Sequence, residues 1–295
     1  MKVRALFITS LLVSGMASAQ DWDKVEMKAE ALNGNIHVIY GAGGNIGVSA
    51  GDDGVFIVDD QYAPLTERVR ASIASISPEP IRYIINTHFH FDHTGGNEKL
   101  GGSGSVIVAH DNVRQRLRAG AFIKAFNHKM EPQRGAALPV VTFNDQMSLH
   151  LNGENARIIH VPNAHTDGDS IIHFRGSNVI HMGDTFFNDR FPFIDVPNGG
   201  SIGGVLHAAE LALAAADAKT IIIPGHGPVT DKAGLEAYRA MLTEARNQVR
   251  SLKEEGRTLE EIQAAKPLKD IPAKWQTDNP KWPDMFIGFI FESLK

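Results

Sequence analysis

Two hydrophobic periods alternate along this chain. NIHVIY (35–40), NIGVSA (45–50) and GVFIVDD (54–60) are short apolar runs separated by Gly-rich and Asp-Gly turns, and they predict a meander of strands. Behind Pro64, Leu65, Val69, Ile73 and Ile76 recur at helical spacing, so a helix is expected from Pro64 through Ile76. Tyr83-Ile84-Ile85 and SVIVAH (105–110) read as buried strands, and DNVRQRLRAG (111–120) as a short basic helix with Asp111 placed to cap it. MSLHL (147–151) and ARIIHVP (156–162) alternate like antiparallel strands, while NVIHMGDT (178–185) and TIIIPGHGPVT (220–230) are apolar strands with polar ends. Helices are expected at 201–216, 232–251 and 258–265. The apolar run MFIGFIF (285–291) is too short to cross a bilayer and is expected to pack on the core.

Two segments have no clear period. Residues 120–144 carry Phe122, Ile123, Phe126 and Met130 ahead of Pro132, Gly135 and Pro139, and read equally as a flap or as an irregular connection packed on the core. Residues 186–200 form a loop rich in Phe, Pro and Gly.

The N-terminus is organised differently. Lys2 and Arg4 precede an apolar stretch from Ala5 to Val13, and Ala17-Ser18-Ala19 follows, the order of a cleavable secretory signal with cleavage expected after Ala19. The stretch falls short of a membrane anchor, so no stable membrane insertion is expected after cleavage, and a periplasmic or secreted location is. Removing 19 of the 295 residues leaves 276, read as one domain (20–295). Lys2 and Arg4 leave with the signal, so 27 basic residues face 34 acidic ones, a formal charge of −7. That balance offers no basic patch for nucleic acid, so no nucleic-acid partner is expected; the partner expected is a small-molecule substrate. The chain has no Cys, which excludes disulfides and thiolate metal sites.

The chemistry concentrates at strand ends. After Ile84-Ile85-Asn86-Thr87 come His88, His90, Asp92 and His93, four metal-capable side chains within six residues. In extended geometry His88 and His90 point the same way and can grip one ion, while Asp92 and His93 can turn towards a second position. Desolvating three imidazoles and a carboxylate without partners is costly, which argues against packing as their reason. The same grammar of apolar strand, then polar residue among turn residues, recurs at His165, Asp184 and His226. Asp59 and His110 also end strands and are candidates for a supporting role near the site, whereas His150 and His160 read as strand residues and Asp167 and Asp169 as turn groups. Two decoys are set aside. Gly41, Gly43 and Gly47 lack the helix a dinucleotide fingerprint needs, and GVSAG around Ser49 lacks the strand-to-helix elbow of a serine nucleophile.

The string H-x-H-x-D-H behind a hydrophobic strand resembles the signature of the metallo-β-lactamase superfamily, and the resemblance covers about residues 35–240. It implies an α/β fold, a four-layer αβ/βα sandwich of two mixed β-sheets flanked by helices, with a metal site at one edge. It further implies two zinc ions, Fe or Mn being disfavoured by His90. His88, His90 and His165 would hold the first, Asp92, His93 and His226 the second, and Asp184 would bridge them, with Asp92 also orienting or relaying a proton. An activated water then replaces any Ser or Cys nucleophile. The best-known lactamases have Cys where Asp184 stands and Lys three residues later, where this chain has Phe187. A bridging Asp is instead similar to glyoxalase II, lactonases and related esterases. The expected activity is hydrolysis of an acyl bond (β-lactam, lactone, ester or thioester). A metal-binding accessory protein of cofactor or sulfur metabolism and a phosphodiester hydrolase remain as alternatives.

Overall fold

The computed structural model describes residues 21–275, 277 and 279–294. The expected signal segment, residues 1–19, lies outside the described residues.

The first sheet begins with β1 (Lys28–Ala31), β2 (Ile36–Tyr40), β3 (Ile46–Gly51) and β4 (Gly54–Val58), joined as antiparallel neighbours. Helix α1 (Thr66–Ile76) crosses over to β5 (Ile81–Ile85), which runs parallel to β4. The metal-capable loop continues into two short helices, α2 (Phe91–Thr94) and α3 (Asn97–Gly102), before β6 (Val106–His110) and α4 (Asp111–Ala119). A small hairpin, β7 (Ala121–Ile123) with β8 (His128–Met130), precedes β9 (Val141–Phe143), which closes the sheet beside β6. The second sheet runs β10 (Gln146–Leu151), β11 (Glu154–His160), β12 (Ser170–Phe174), β13 (Val179–His181), β14 (Ile221–Ile223) and β15 (Thr230–Asp231) in that order, parallel only between β13 and β14. Helices α5 (Ile202–Ala215), α6 (Lys232–Glu254), α7 (Leu259–Ala265) and α8 (Trp282–Ser293) complete the chain.

The period of two along the strands builds the layers. Val38, Phe56, Val58, Ile85 and Val108 face Ile158, Ile172, Phe174 and Ile223 of the other sheet, all buried, with the Phe56 and Phe174 rings 5.8 Å apart. Their sequence neighbours Ile39, Val55, Ile57, Ile84 and Ile107 face outward onto Val69 and Ile73 of α1 and Leu100 of α3. The outer face of the second sheet packs on α5, α6 and α8, where Phe286, Ile287 and Ile290 are buried. The result is the expected order of helices, sheet, sheet and helices, and the apolar tail run packs on the core. Among the described residues no helix is long and apolar enough to cross a membrane.

Three expectations change in detail. The first helix starts at Thr66 after a single 3-10 turn, Ala63–Leu65, because Pro64 fits a turn entry. The cap of α4 is His110, whose Nδ1 accepts from the Asn112 N–H at 3.2 Å, and Asp111 is already the first helical residue. The segment 120–144 contains an unexpected hairpin, β7–β8, and then returns to the sheet, with Ile123, Met130 and Leu138 packed into a buried cluster. Ser49 is buried within β3, and a strand rather than a helix follows Gly41 and Gly43.

β4, β5 and β6 are parallel and therefore end at one edge; β11, β13 and β14 share a direction in the other sheet and likewise end together. The candidate residues follow these ends. Because Phe56 is fully buried between the sheets, Phe56→Ala is expected to cost about 3–5 kcal/mol in urea unfolding. A cost below about 1 kcal/mol would show that the two sheets do not pack there.

Candidate metal centre

Each donor arrives from a strand end. His88 and His90 follow β5, Asp92 and His93 stand on the single turn α2, His165 follows β11, Asp184 follows β13 and His226 follows β14. The structure brings all seven together in two groups, His88, His90, His165 and Asp184, and Asp92, His93 and His226, with the potential donor atoms of each group within 4.8 Å of one another. His90 Nδ1 lies 3.1 Å from His88 Nε2 and 2.9 Å from His165 Nε2. His226 Nε2 lies 3.2 Å from an Asp92 oxygen and 3.4 Å from His93 Nε2. Asp184 stands between the groups. Its Oδ2 is 3.6 Å from His165 Nε2 and 3.9 Å from His88 Nε2, whereas its Oδ1 is 3.0 Å from His93 Nε2 and 3.4 Å from His226 Nε2.

The outward contacts decide what the inward nitrogens are. His165 Nδ1 is 2.9 Å from the Phe193 carbonyl, His90 Nε2 2.9 Å from Asp195 Oδ2, and His93 Nδ1 2.7 Å from Asp59 Oδ2. All three partners are acceptors, so these nitrogens carry the proton. Thr87 commits its hydroxyl proton to Asp59 Oδ2 at 2.8 Å, so it accepts from His88 Nδ1 at 3.0 Å. When neutral, the four rings therefore present lone pairs inward. Lone pairs facing each other at about 3 Å are not hydrogen bonds; they are what a cation coordinated between them accounts for. Asp184 Oδ1 is buried, and its near neighbours are the inward nitrogens of His93 and His226, which fits the same reading. The donor set of imidazole nitrogens and carboxylate oxygens suits a borderline divalent metal.

Charge separates the two groups. Burial holds His88 well below the ordinary imidazole range and lowers His165 to about 4, so both are neutral ligands at neutral pH. Burial also opposes protonation of His93 and His226, but the Asp184 and Asp92 carboxylates outweigh it. With no cation between them His93 sits well above its usual range and His226 at about 9. Conversely, His93 and His226 overcome the burial of Asp92 and Asp184, bringing Asp92 down to about 2 and Asp184 well below the usual range.

Asp59 occupies the hub expected of it. Its backbone is left-handed (φ 64°), which aims the buried carboxylate back at the loop, where it accepts from the Thr87 N–H at 2.7 Å and from His93. Space is as tightly set as charge. A Cβ on Gly44 would lie 2.1 Å from the His93 ring, and one on Gly225 2.1 Å from Asp184 Oδ1, so each position needs the missing side chain.

His110 makes no contact with the seven. Its Nε2 lies 2.9 Å from the Asn144 carbonyl, and its ring stacks on His160 at 3.6 Å, a role set by the cap of α4. Asp169 closes the turn that aims His165 by accepting from the Thr166 N–H and hydroxyl, and Asp167 pairs with Arg116. Sequence reasoning missed Asp195, which orients His90 from 105 residues away, and Asn198, which donates to Asp195 Oδ2 at 2.8 Å. The one signal for Asp195 was a lone carboxylate in the apolar string FPFIDVP.

Comparisons with known proteins agree with this geometry. The chain is 24% identical over 177 residues to the 2,4-dinitroanisole O-demethylase subunit alpha of Nocardioides sp., covering 59% of this chain and 51% of that protein. It is 29% identical over 108 residues to a hydroxyacylglutathione hydrolase of Pelagibacter ubique, covering 37% of each. The chain thus spans about half, or less, of the length of these curated relatives. A metallo-beta-lactamase structure from Pontibacter korlensis superposes with a TM-score of 0.59 at 15% identity, covering 74% of this chain and 99% of that one, a likeness of fold alone. The model of the Metallo-beta-lactamase superfamily matches residues 37–226, which run from β2 to the last of the seven donors. On that match, the chain belongs to the metallo-beta-lactamase superfamily.

Proposed function

We propose that this protein is an exported, dinuclear zinc hydrolase that cleaves an acyl bond. The observation that carries the reading is Asp184, one carboxylate whose two oxygens face two different sets of donors. A shared carboxylate suits two like-charged ions held close together, and a nitrogen and oxygen donor set without thiolate suits zinc. His88, His90 and His165 would hold the first ion, Asp92, His93 and His226 the second. The hydroxyacylglutathione hydrolase relatives, thioesterases by name, favour an acyl substrate. The signal-like residues 1–19 support export, and the remainder of the chain is read as one domain.

When bound, the two ions would lower the pKa of a water and polarise the acyl carbonyl. The chain itself supplies orientation and proton handling. Asp92 lines the cavity beside the other candidate ligands and, at about 2, is ionised at any working pH, so it can accept a hydrogen bond from the attacking water and orient it. Asp59, Thr87 and Asp195 keep the imidazoles turned inward, which spares the site reorganisation during the reaction.

The mature protein loaded with zinc should hydrolyse at least one of a lactone, an acyl thioester, an ester or a β-lactam assayed beside a phosphodiester, and lose turnover on chelation. Full activity in metal-free protein sinks the proposal, and turnover of the phosphodiester alone reassigns the substrate. Asp184→Asn should lower zinc content from two ions per chain towards one, read by elemental analysis, and cut turnover about a thousandfold, the scale of losing a central electrostatic group. Asp195→Asn should weaken zinc affinity about 10–100-fold in chelator competition, because the amide no longer fixes the His90 proton by charge. Finally, His226 is protonated below about 9, so an ion entering its group displaces a proton. His93, raised well above its usual range in the same group, must lose its inward proton as well, so calorimetry in buffers of different ionisation enthalpy should show proton release at pH 7 and affinity rising as pH is raised above 7; pH-independent affinity would contradict this.

A further inference from the structure

Aromatic rings lead from the donors to the protein surface. Phe187 stacks on His226 at 5.1 Å and 20°, and Phe193 on His90 at 5.7 Å and 21°. Phe193 in turn meets Phe126 at 4.9 Å, and Phe126 lies near-parallel to Trp282, with 6.3 Å between ring centroids. These four rings share a cavity of about 230 Å³ with Asp92, Asp184 and His226. They come from separate stretches of chain: Phe126 follows β7, Phe187 and Phe193 lie in the loop after Asp184, and Trp282 begins α8. Trp282 stands beyond residue 226, where the family match ends, so this one ring of the wall comes from a segment outside the match. Its indole is held in place by donating to the Phe191 carbonyl at 2.8 Å. Phe126, by contrast, is 47% exposed, a large apolar ring left facing the cavity and solvent.

Arg190 supplies the complement. It lines the same cavity, is exposed, and makes no hydrogen bond or ion pair with any described residue. An arginine without a protein partner beside aromatic walls offers a planar fork of donors to a carboxylate.

We infer that the site selects a small aryl ester or thioester, its ring lying against Trp282, Phe126 and Phe193 and an anionic ring substituent meeting Arg190. Ring stacking and the charge pair then hold the acyl carbon over the donors. In the reaction, the water oxygen joins the acyl carbon, the bond from that carbon to the aryl oxygen or sulfur breaks, and the departing group takes a proton. This inference rests on the acyl-hydrolase reading above, and its test separates the two.

The zinc-loaded protein is assayed with ethyl acetate, phenyl acetate and 4-acetoxybenzoate, together with Phe126→Leu, Trp282→Leu and Arg190→Gln. Phe126 is exposed enough for its variant to fold even if Trp282→Leu does not. Phe126→Leu and Trp282→Leu should each reduce the preference in kcat/KM for phenyl acetate over ethyl acetate at least tenfold, mainly through KM. Arg190→Gln should reduce the preference for 4-acetoxybenzoate over phenyl acetate at least tenfold. Turnover with all these ratios unchanged overturns the inference while leaving the hydrolase reading intact. If wild type hydrolyses none of the three esters, the hydrolase reading fails for esters, and benzoate binding followed by tryptophan fluorescence decides the inference. Quenching that Trp282→Leu abolishes and that needs at least tenfold more benzoate in Arg190→Gln supports it, and absence of quenching in wild type overturns it.

Discussion

The structure depends on holding His88, His90 and His165 close together although, without a cation, their inward lone pairs repel. Imidazole lone pairs face one another at about 3 Å, and two carboxylates share the space beside them. His93 and His226 are attracted to the Asp92 and Asp184 carboxylates, but nothing among His88, His90 and His165 holds those three rings together. The constraint comes from outside, where Asp59, Thr87, Asp195 and the Phe193 carbonyl each fix the outer nitrogen of one ring. Asp59 matters most because it joins two of these contacts to the backbone of the loop itself. The two sheets supply the stiffness, since each donor follows a strand whose buried residues admit little movement.

The same economy of space explains the surroundings. Gly44 and Gly225 are bare because the His93 ring and the Asp184 carboxylate occupy the volume that a Cβ would need. Gln61 holds the Gly43-Gly44 turn in place with both ends of its amide, accepting from the Gly43 N–H and donating to the Gly44 carbonyl. Asn198 links the β7–β8 hairpin to the donors, as its amide reaches both the Phe122 carbonyl and Asp195, which orients His90. The hairpin that carries the outer aromatic wall is therefore tied by hydrogen bonds to the interior of the site.

Much of this was legible in the residues. The uninterrupted apolar runs Val55 to Val58 and Ile84-Ile85 announced buried strands, and these residues are buried. The repeated placement of polar residues after apolar strands picked out the seven residues that the structure gathers into two groups. What escaped was whatever lacks a local pattern. Asp195 looks like any acidic residue in a Phe- and Pro-rich loop, and its partner His90 is 105 residues away. His110 obeyed the strand-end rule and still serves only as a helix cap and a stacking surface for His160, because strand ends share an edge without all pointing into the same cavity.

From the residues alone came the elements and the strand-end candidates, through hydrophobic periodicity and the cost of burying imidazoles and carboxylates without partners, both of which act over a few residues. The four-layer order of those elements and the grouping of the candidates came from the resemblance to the metallo-β-lactamase superfamily. The packed structure settled which ring nitrogens face inward, which oxygen of Asp184 faces which group, and which distant rings and charges wall the cavity. Those outcomes depend on distances between strands and loops far apart in the chain, and such distances exist only once the two sheets have packed.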